Sequence, residues 1–254
     1  MRFKFALTGD MPDTDGDGDG YLEDYYQLSI MDLEALAWHA SANAPEADGN
    51  AYWCADEAIG PDGGYLDEWM QYLDTPAITL GDNAMVSAKL KWVIEDWQGA
   101  TVGGSCTDGW DAANVRISAD GGTTWALLED ASLPYDFDCG YGWIYNDAEY
   151  EAGGSLNHVA PGWGGASAGR DFVDFSADLS AWAGQEVIIR FAFGSDPAYN
   201  TFDQPDMTGF EVDNIVVEGD GGILYNDDAD DSTDNNTMVP SGEVWEAQFY
   251  DYLN

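Results

Sequence analysis

The chain has 254 residues, 45% of them hydrophobic and 14% aromatic, which is enough apolar material for one large domain or two small ones. Seven Lys and Arg residues stand against 49 Asp and Glu residues, so the formal net charge is −42. This charge repels phosphate backbones and anionic lipid surfaces, and no stretch has the roughly 20 apolar residues of a membrane span. We therefore expect neither nucleic-acid binding nor membrane insertion.

The acidic excess also bears on the medium in which the protein works. Repulsion among so many carboxylates destabilises a compact state unless cations screen or bind them. Two interpretations stay open: a marine or calcium-rich medium, and general halophilic solubility.

An Asp-rich stretch near the N-terminus, "DTDGDGDGYLED" at residues 13–24, has the spacing of a calcium loop. Its acidic side chains recur at positions 1, 3, 5 and 12 of a twelve-residue frame, with Gly18 at position 6 for the sharp turn. A second frame, starting two residues later, ends on Tyr26 and fits less well. No helix precedes the stretch, so we predict a calcium-binding β-loop; a solvated acidic turn is the alternative. The predicted ligands are Asp13, Asp15, Asp17, Asp19 and Asp24.

The same N-terminal region resembles a later part of the chain. "RFKFALTGD" (2–10) with "GYLED" (20–24) is similar to "RFAFGSD" (190–196) with "GFEVD" (209–213). A repeat at this spacing predicts that residues 1–33 are the closing β-hairpin of a preceding repeat, or a segment exchanged between chains. A chance similarity of two hairpins is the alternative.

Strand patterns dominate the rest of the chain, and several alternate apolar and polar residues. The one helical pattern is "SIMDLEALAWHA", residues 29–40. We predict an all-β fold, an antiparallel jelly-roll β-sandwich with long Gly-rich and aromatic-rich loops, over residues 34–220. Residues 221–254 are predicted to be an acidic linker and the start of a following segment. The predicted strands lie at 76–80, 84–97, 114–119, 123–128, 171–180, 186–193 and 210–219.

Two long loops, at about 97–112 and 130–170, are too aromatic for disorder and are candidates for function. Cys106 and Cys139 each lie in one of them, and we predict that they pair, although three cysteines allow three connectivities and Cys54 is left free or variably paired. Exposed aromatic side chains in these loops could stack on sugar rings; a small core pinned by the disulfide is the alternative. The candidate ligand-binding residues are Trp97, Trp110, Trp143 and Trp163.

Enzyme motifs are weak. "SADGGTTW" (118–125) fits an Asp-box, which we interpret as a structural turn. "GASAG" (165–169) surrounds Ser167 but lacks the strand, turn and helix of a nucleophile elbow, and no H-E-x-x-H is present. We therefore expect no catalytic residues and no enzymatic activity.

A family resemblance is carried by the succession "YWCADE", "SAKLKWVIED", "WDAANVRISADGGTTWALL", "DLSAWAGQEVIIRFAFGSD" and "GFEVDNIVV". It resembles the MAM-like or choice-of-anchor jelly-roll modules found in immune inhibitor A-type secreted metallopeptidases and in prokaryotic surface proteins. The resemblance implies a noncatalytic, extracellular module, often with structural calcium where the strands meet. It implies Glu95, Asp111 and Asp213 as ligands, although the two aspartates could instead cap turns.

Together these patterns predict a secreted or cell-surface Ca²⁺-binding repeat module for adhesion or assembly, as a tandem array or a strand-complemented filament. Its expected partners are other copies of the module or surface proteins. The alternative is an accessory carbohydrate-binding module, with glycans as partners, of a secreted hydrolase or peptidase.

Overall fold

The computed structural model describes residues 37–42, 49–101, 106–144, 160–230 and 237–244. The predicted closing hairpin of residues 1–33, with its Asp13–Asp24 calcium loop, lies outside these residues. The described strands are β1 (Trp38–Ser41), β2 (Ala51–Cys54), β3 (Trp69–Asp74), β4 (Ile78–Thr79), β5 (Met85–Val93), β6 (Asp108–Gly109), β7 (Ala112–Ser118), β8 (Ala126–Leu127), β9 (Cys139–Gly140), β10 (Val173–Asp178), β11 (Glu186–Gly194), β12 (Gly209–Gly219), β13 (Gly222–Asp227) and β14 (Val239–Val244).

Two large antiparallel sheets form a β-sandwich. The first has the strand order β1-β2-β12-β5-β10, with β13 also paired to β12; the second has the order β14-β3-β11-β7-β8, with β4 also paired to β11. The prediction of an all-β antiparallel sandwich is confirmed, while the jelly-roll connection of its strands stays a prediction.

Among the described residues, helix is limited to a short α-helix, α1 (Tyr141–Ile144), and two 3-10 turns at Ala168–Arg170 and Ser180–Trp182. In the described part of the chain, no helix has both the length and the apolar character needed to span a membrane.

The core lies between the two sheets and follows from the alternation along each strand. In β5, the side chains of Val86, Ala88 and Leu90 are buried, and those of Met85 and Ser87, which alternate with them, are exposed. In β11, Ile189 and Phe191 are fully buried. Because successive side chains of a strand point to opposite faces, these apolar positions share the face that meets the other sheet.

The helical prediction for residues 29–40 is wrong where the structure describes it. Trp38–Ser41 forms β1, and Trp38 pairs with Cys54 of β2 in antiparallel register. The Trp38 ring packs edge-on against Phe210 at a centroid distance of 5.5 Å. Pairing with a distant segment overrides the local helical pattern, because propensity is the weaker term.

The prediction that residues 221–254 are a linker is also wrong in part. β13 pairs with β12 in the first sheet, and β14 pairs with β3 in the second. Asp227 is buried and accepts hydrogen bonds from the hydroxyls of Tyr52 and Tyr225 and from the backbone N–H of Ala229. This carboxylate is therefore a structural polar group, although its sequence neighbourhood has the composition of a solvated linker.

A disulfide joins Cys106 to Cys139 across 33 positions, as the loop composition suggested, and Cys54 is a buried free thiol. The bridge lies beside a small parallel pairing of β6 with β9. The disulfide thus joins the two long loops to each other.

The Asp-box is a structural turn between β7 and β8, as predicted. Asp120 accepts hydrogen bonds from the backbone N–H groups of Thr123 and Thr124 and from the Thr124 hydroxyl. The Thr124 hydrogen bond leads the contributions that lower the Asp120 pKa to about 2. Trp125 closes the turn by donating its indole N–H to the Gly122 carbonyl at 3.0 Å.

Candidate metal centre

Three chain segments bring carboxylates together at one end of the sandwich. Glu95 follows the end of β5 in the first sheet, and Asp111 immediately precedes β7 in the second. Asp196 follows the end of β11, whose Gly194 pairs with Ala112 of β7. This antiparallel register places Asp111 and Asp196 side by side, and one oxygen from each of the three carboxylates lies within 4.8 Å of the others. We call Glu95, Asp111 and Asp196 the acidic triad.

Hydrogen bonds from Tyr65 and the backbone orient the triad. The Tyr65 hydroxyl donates to Asp111 Oδ2 at 2.5 Å and accepts the backbone N–H of Glu95 at 3.1 Å. The backbone N–H of Asp196 donates to Asp111 Oδ1 at 2.9 Å. The Tyr65 ring packs edge-on against Phe193 in the core, with centroids 5.0 Å apart. The triad is therefore held by the core and does not depend on loop side chains alone.

One oxygen of the triad has no protein partner. Glu95 Oε2 is inaccessible to solvent and accepts no hydrogen bond from any described residue. A buried polar atom left in this state costs roughly 1–3 kcal/mol, and more when it is charged. Within the described part of the chain, Glu95 Oε2 is therefore the buried oxygen of the triad that lacks a hydrogen-bond donor.

The triad is strongly destabilised as three anions. Burial, followed by the charge of Asp196, raises the pKa of Asp111 well above its usual range. Burial, followed by the charge of Asp111, raises the pKa of Glu95 to about 9. Burial raises the pKa of Asp196 to about 6. Further acidic groups that raise these values are Asp67, Glu68 and Asp203.

These donors suit a hard divalent cation. Calcium takes six to eight oxygen ligands at 2.3–2.6 Å in flexible geometry, and it commonly combines several carboxylates with backbone carbonyls and water. The triad offers one oxygen from each carboxylate, and Glu95 Oε2 is the oxygen without another partner. The residues fit a calcium ion that neutralises the convergent charge.

Asp213, which the resemblance implied as a ligand, does not belong to this group. It lies inside β12 opposite Lys89 of β5 and accepts the backbone N–H of Asn214, next to an irregularity in the β12–β5 pairing. Asp196 contributes the third carboxylate instead. The feature of the sequence that could have indicated Asp196 is its position two residues after the strand in "RFAFGSD", as Glu95 lies two residues after β5.

The four predicted sugar-stacking tryptophans separate into two groups. Trp143 and Trp163 are only 7% and 1% exposed, so their prediction as glycan platforms is wrong; they pack in two buried clusters, neither of which contains the disulfide. Trp163 stacks on Trp92 with centroids 5.1 Å apart. Trp97 and Trp110 are half-buried and keep part of their surface open to solvent.

Searches against protein-family models and curated proteins find no match for this chain. The structural description of the chain consists of its fold and its site: an antiparallel β-sandwich with three convergent carboxylates at one end. The resemblance to MAM-like modules stays a prediction that rests on the sequence motifs.

The raised pKa values predict that the metal-free protein loses stability as the pH rises. A carboxyl group whose pKa is higher in the folded state stabilises the fold fully below its unfolded pKa, and this contribution is lost as the pH rises through the folded value. For Asp196 and Glu95, the loss runs from about pH 4 through about 6 and about 9. Thermal melts in EDTA from pH 5 to 9 should show a falling midpoint.

Glu211 contributes to the same pH dependence and must be separated from the triad. Burial raises its pKa to about 7 despite its ion pair with Lys91. The variant Glu95→Gln removes the contribution of Glu95 alone, leaving Asp111, Asp196 and Glu211 to titrate, and should weaken the pH dependence above pH 7. An unchanged pH profile in Glu95→Gln would contradict the assignment to the triad.

Proposed function

We propose that the chain is a noncatalytic, extracellular β-sandwich module that binds calcium at Glu95, Asp111 and Asp196 and serves in adhesion or assembly. Its partners are other copies of the module or surface proteins. The observation that carries the proposal is the convergence of three carboxylate oxygens within 4.8 Å; one of these carboxylates has a buried oxygen without a hydrogen-bond partner among the described residues.

Calcium fits better than other common metals. All three donors are carboxylate oxygens, whereas zinc sites are usually built from Cys and His ligands. Magnesium requires near-ideal octahedral geometry and keeps several waters, which suits a buried site poorly, and Asp111 is only 1% exposed. Calcium tolerates irregular geometry and a large share of protein oxygens.

The position of the acidic triad between the two sheets supports a stabilising role for a bound calcium ion. Glu95 extends from the first sheet, and Asp111 and Asp196 extend from the second, so a bound ion ties the two sheets together at one end. The ion also offsets repulsion in a chain with a net charge of −42. Because the unfolded chain does not assemble this triad, binding stabilises the folded state by mass action.

Two further features support a stiff extracellular unit. The Cys106–Cys139 disulfide is of a kind that persists mainly in oxidising compartments. A high density of surface carboxylates keeps such a module soluble in salt.

Two described side chains with nucleophile or base chemistry, Ser167 and His39, have structural partners. Ser167 is 3% exposed, and its hydroxyl donates to the Asp171 carbonyl at 2.8 Å. His39 Nε2 lies 3.0 Å from Glu57 at the surface, remote in sequence from any serine motif. Neither has the surroundings of an activated nucleophile or base.

Calcium titration by calorimetry tests the proposal. In EDTA-stripped protein returned to calcium-free buffer, Asp111→Asn should abolish the binding event of the triad or weaken it at least about tenfold, since a charged ligand is lost. Glu186→Gln is the matched control, because Glu186 is exposed at the opposite end of β11 and changes the charge equally.

The N-terminal loop must be separated from the triad in the same experiment. Asp17→Asn should remove a second binding event, if the Asp-rich loop binds calcium, and leave the event of the triad unchanged. If Asp111→Asn and the wild type bind calcium equally, the proposal of a metal centre at the triad fails.

A further inference from the structure

A cleft of about 470 Å³ opens close to the acidic triad but is lined by other side chains. Its volume falls in the range of small-molecule sites, roughly 300–1,000 Å³. Asp96, which directly follows Glu95, contributes to one wall. The aromatic and polar side chains in its lining are Asp96, Trp97, Gln98, Asp136, Arg170 and Gln204.

Trp97 supplies a fixed aromatic surface in this cleft. It packs against a buried cluster that includes Phe137, with ring centroids 6.5 Å apart. Gly164 lies directly behind it, because a Cβ there would come within 3.0 Å of the Phe137 ring and 3.1 Å of Trp97 Cβ. The indole is thus held in place from one side, while its half-buried state leaves surface for a ligand.

Two carboxylates beside Trp97 retain hydrogen-bonding capacity. Asp136 accepts the backbone N–H of Gly164 at 3.2 Å, and Asp96 accepts the backbone N–H of Gln98 at 2.9 Å. A carboxylate has about four lone-pair positions, so one backbone donor leaves room for hydroxyl donors from a ligand. The amide groups of Gln98 and Gln204 add both donors and acceptors.

The charge of the cleft selects the class of ligand. Arg170 Nη1 lies 2.6 Å from Asp206, so the guanidinium adds little net positive charge. With Asp96 and Asp136 in the lining, phosphates, sulfates and uronic acids are repelled. A neutral sugar presents an apolar C–H face to an indole and hydroxyl groups to carboxylates and amides, which matches the two halves of the lining.

A cationic side chain is the competing ligand class, since carboxylates and an indole also attract ammonium groups. The two amides, of Gln98 and Gln204, can pair with hydroxyl groups but add little for a point charge. The mixture of donors and acceptors favours a polyol.

We propose that this cleft binds a neutral saccharide, with Trp97 as the stacking platform and Asp96, Asp136 and Gln204 as partners of its hydroxyl groups. The inference goes beyond the calcium-stabilised module, because none of these side chains belongs to the triad. It gives the module a ligand that an adhesive unit can recognise on a surface.

Calorimetry on the whole chain in calcium tests the proposal with neutral cello-, xylo-, manno- and chito-oligosaccharides, an alginate oligosaccharide and a lysine-rich peptide. At least one neutral oligosaccharide should bind, and alginate should not. Trp97→Ala should weaken binding about tenfold or more. Trp182→Ala, in the 3-10 turn outside the cleft, is the matched tryptophan control and should bind as the wild type does.

Gln204→Ala and Asp136→Asn keep the test decisive if Trp97→Ala does not fold, and each should weaken binding several-fold. Thermal melts of the same samples with and without calcium show whether the metal centre is intact, so that a lost sugar site is distinguished from a lost metal site. The proposal is overturned if no neutral sugar binds, if the cleft variants bind normally, or if the lysine-rich peptide binds through Trp97 instead.

Discussion

Millimolar calcium should raise the melting temperature of the EDTA-treated protein by about 10 °C. A ligand present at a thousandfold excess over its Kd stabilises the folded state by about 4 kcal/mol, and 1 kcal/mol moves the midpoint by about 2–4 °C in a domain of this size. The effect arises because the ion replaces repulsion among Glu95, Asp111 and Asp196 by attraction and satisfies Glu95 Oε2.

The variant Glu95→Gln should respond in opposite directions in the two media. In EDTA at pH 8, it should melt at or above the wild-type temperature, since Gln is neutral without binding a proton, whereas Glu95 in the folded wild type has a pKa of about 9 and must bind one at a cost in stability. In calcium, it should lose most of the upward shift, since a charged ligand is gone. Differential scanning calorimetry of both proteins, with Glu186→Gln as the exposed control, measures this reversal.

A calcium shift that survives unchanged in Glu95→Gln would place the stabilising ion elsewhere, with the Asp13–Asp24 loop as the next candidate. A fall in the EDTA midpoint of Glu95→Gln would mean that the ionised triad is stabilising by itself, in conflict with the raised pKa of Glu95.

Trp163→Ala should destabilise the protein by about 3–5 kcal/mol, the range for removing a large aromatic side chain from a core. Trp163 is 1% exposed and packs against Trp92, Tyr135 and Phe175 at centroid distances of 5.1, 4.6 and 6.0 Å. Its indole N–H donates to the carbonyls of Leu133 and Pro134, so the loop around 133–135 is held to the core through this ring.

Urea unfolding in calcium measures the loss, and Trp163→Phe is the matched variant because it keeps an aromatic ring and should lose less. Trp97→Ala should be clearly milder, since Trp97 is half-buried. A loss below about 1 kcal/mol for Trp163→Ala, together with weakened sugar binding, would restore Trp163 as a ligand-binding residue.

Several features were accessible from local sequence alone because their physical causes are local. Alternation along "AMVSAKLKW" indicated a strand with one buried face, and the structure has Val86, Ala88 and Leu90 buried there. The Asp-box turn is closed by hydrogen bonds from Asp120 to residues no more than four positions away, so the eight-residue motif is sufficient to predict it. The all-β class follows from many such segments.

Other features were mispredicted because they depend on pairing between distant segments. The sequence pattern predicted a helix where β1 pairs with β2. It predicted a linker where β14 forms the edge of the second sheet next to β3. Both are short strands whose stability comes from neighbours, and neighbours cannot be inferred from periodicity.

The acidic triad shows both contributions. The resemblance to MAM-like modules implied Glu95 and Asp111 as ligands, and the structure places each next to a strand that the sequence predicted. Whether Asp196 or Asp213 joins them depends on the β11–β7 register, which sets Gly194 opposite Ala112 and so brings the following carboxylate to Asp111. Likewise, composition marked four tryptophans as equivalent, and packing buried two of them while leaving Trp97 at a cleft.

Local sequence and bulk composition thus predicted the fold class and the acidity and favoured the Cys106–Cys139 pairing. They could not predict which carboxylates form the acidic triad or how exposed each indole is. The reason is that local periodicity reports only which face of a strand is apolar. The distance between two carboxylates is set by strand order and register across the two sheets, which hundreds of weak packing contacts select jointly.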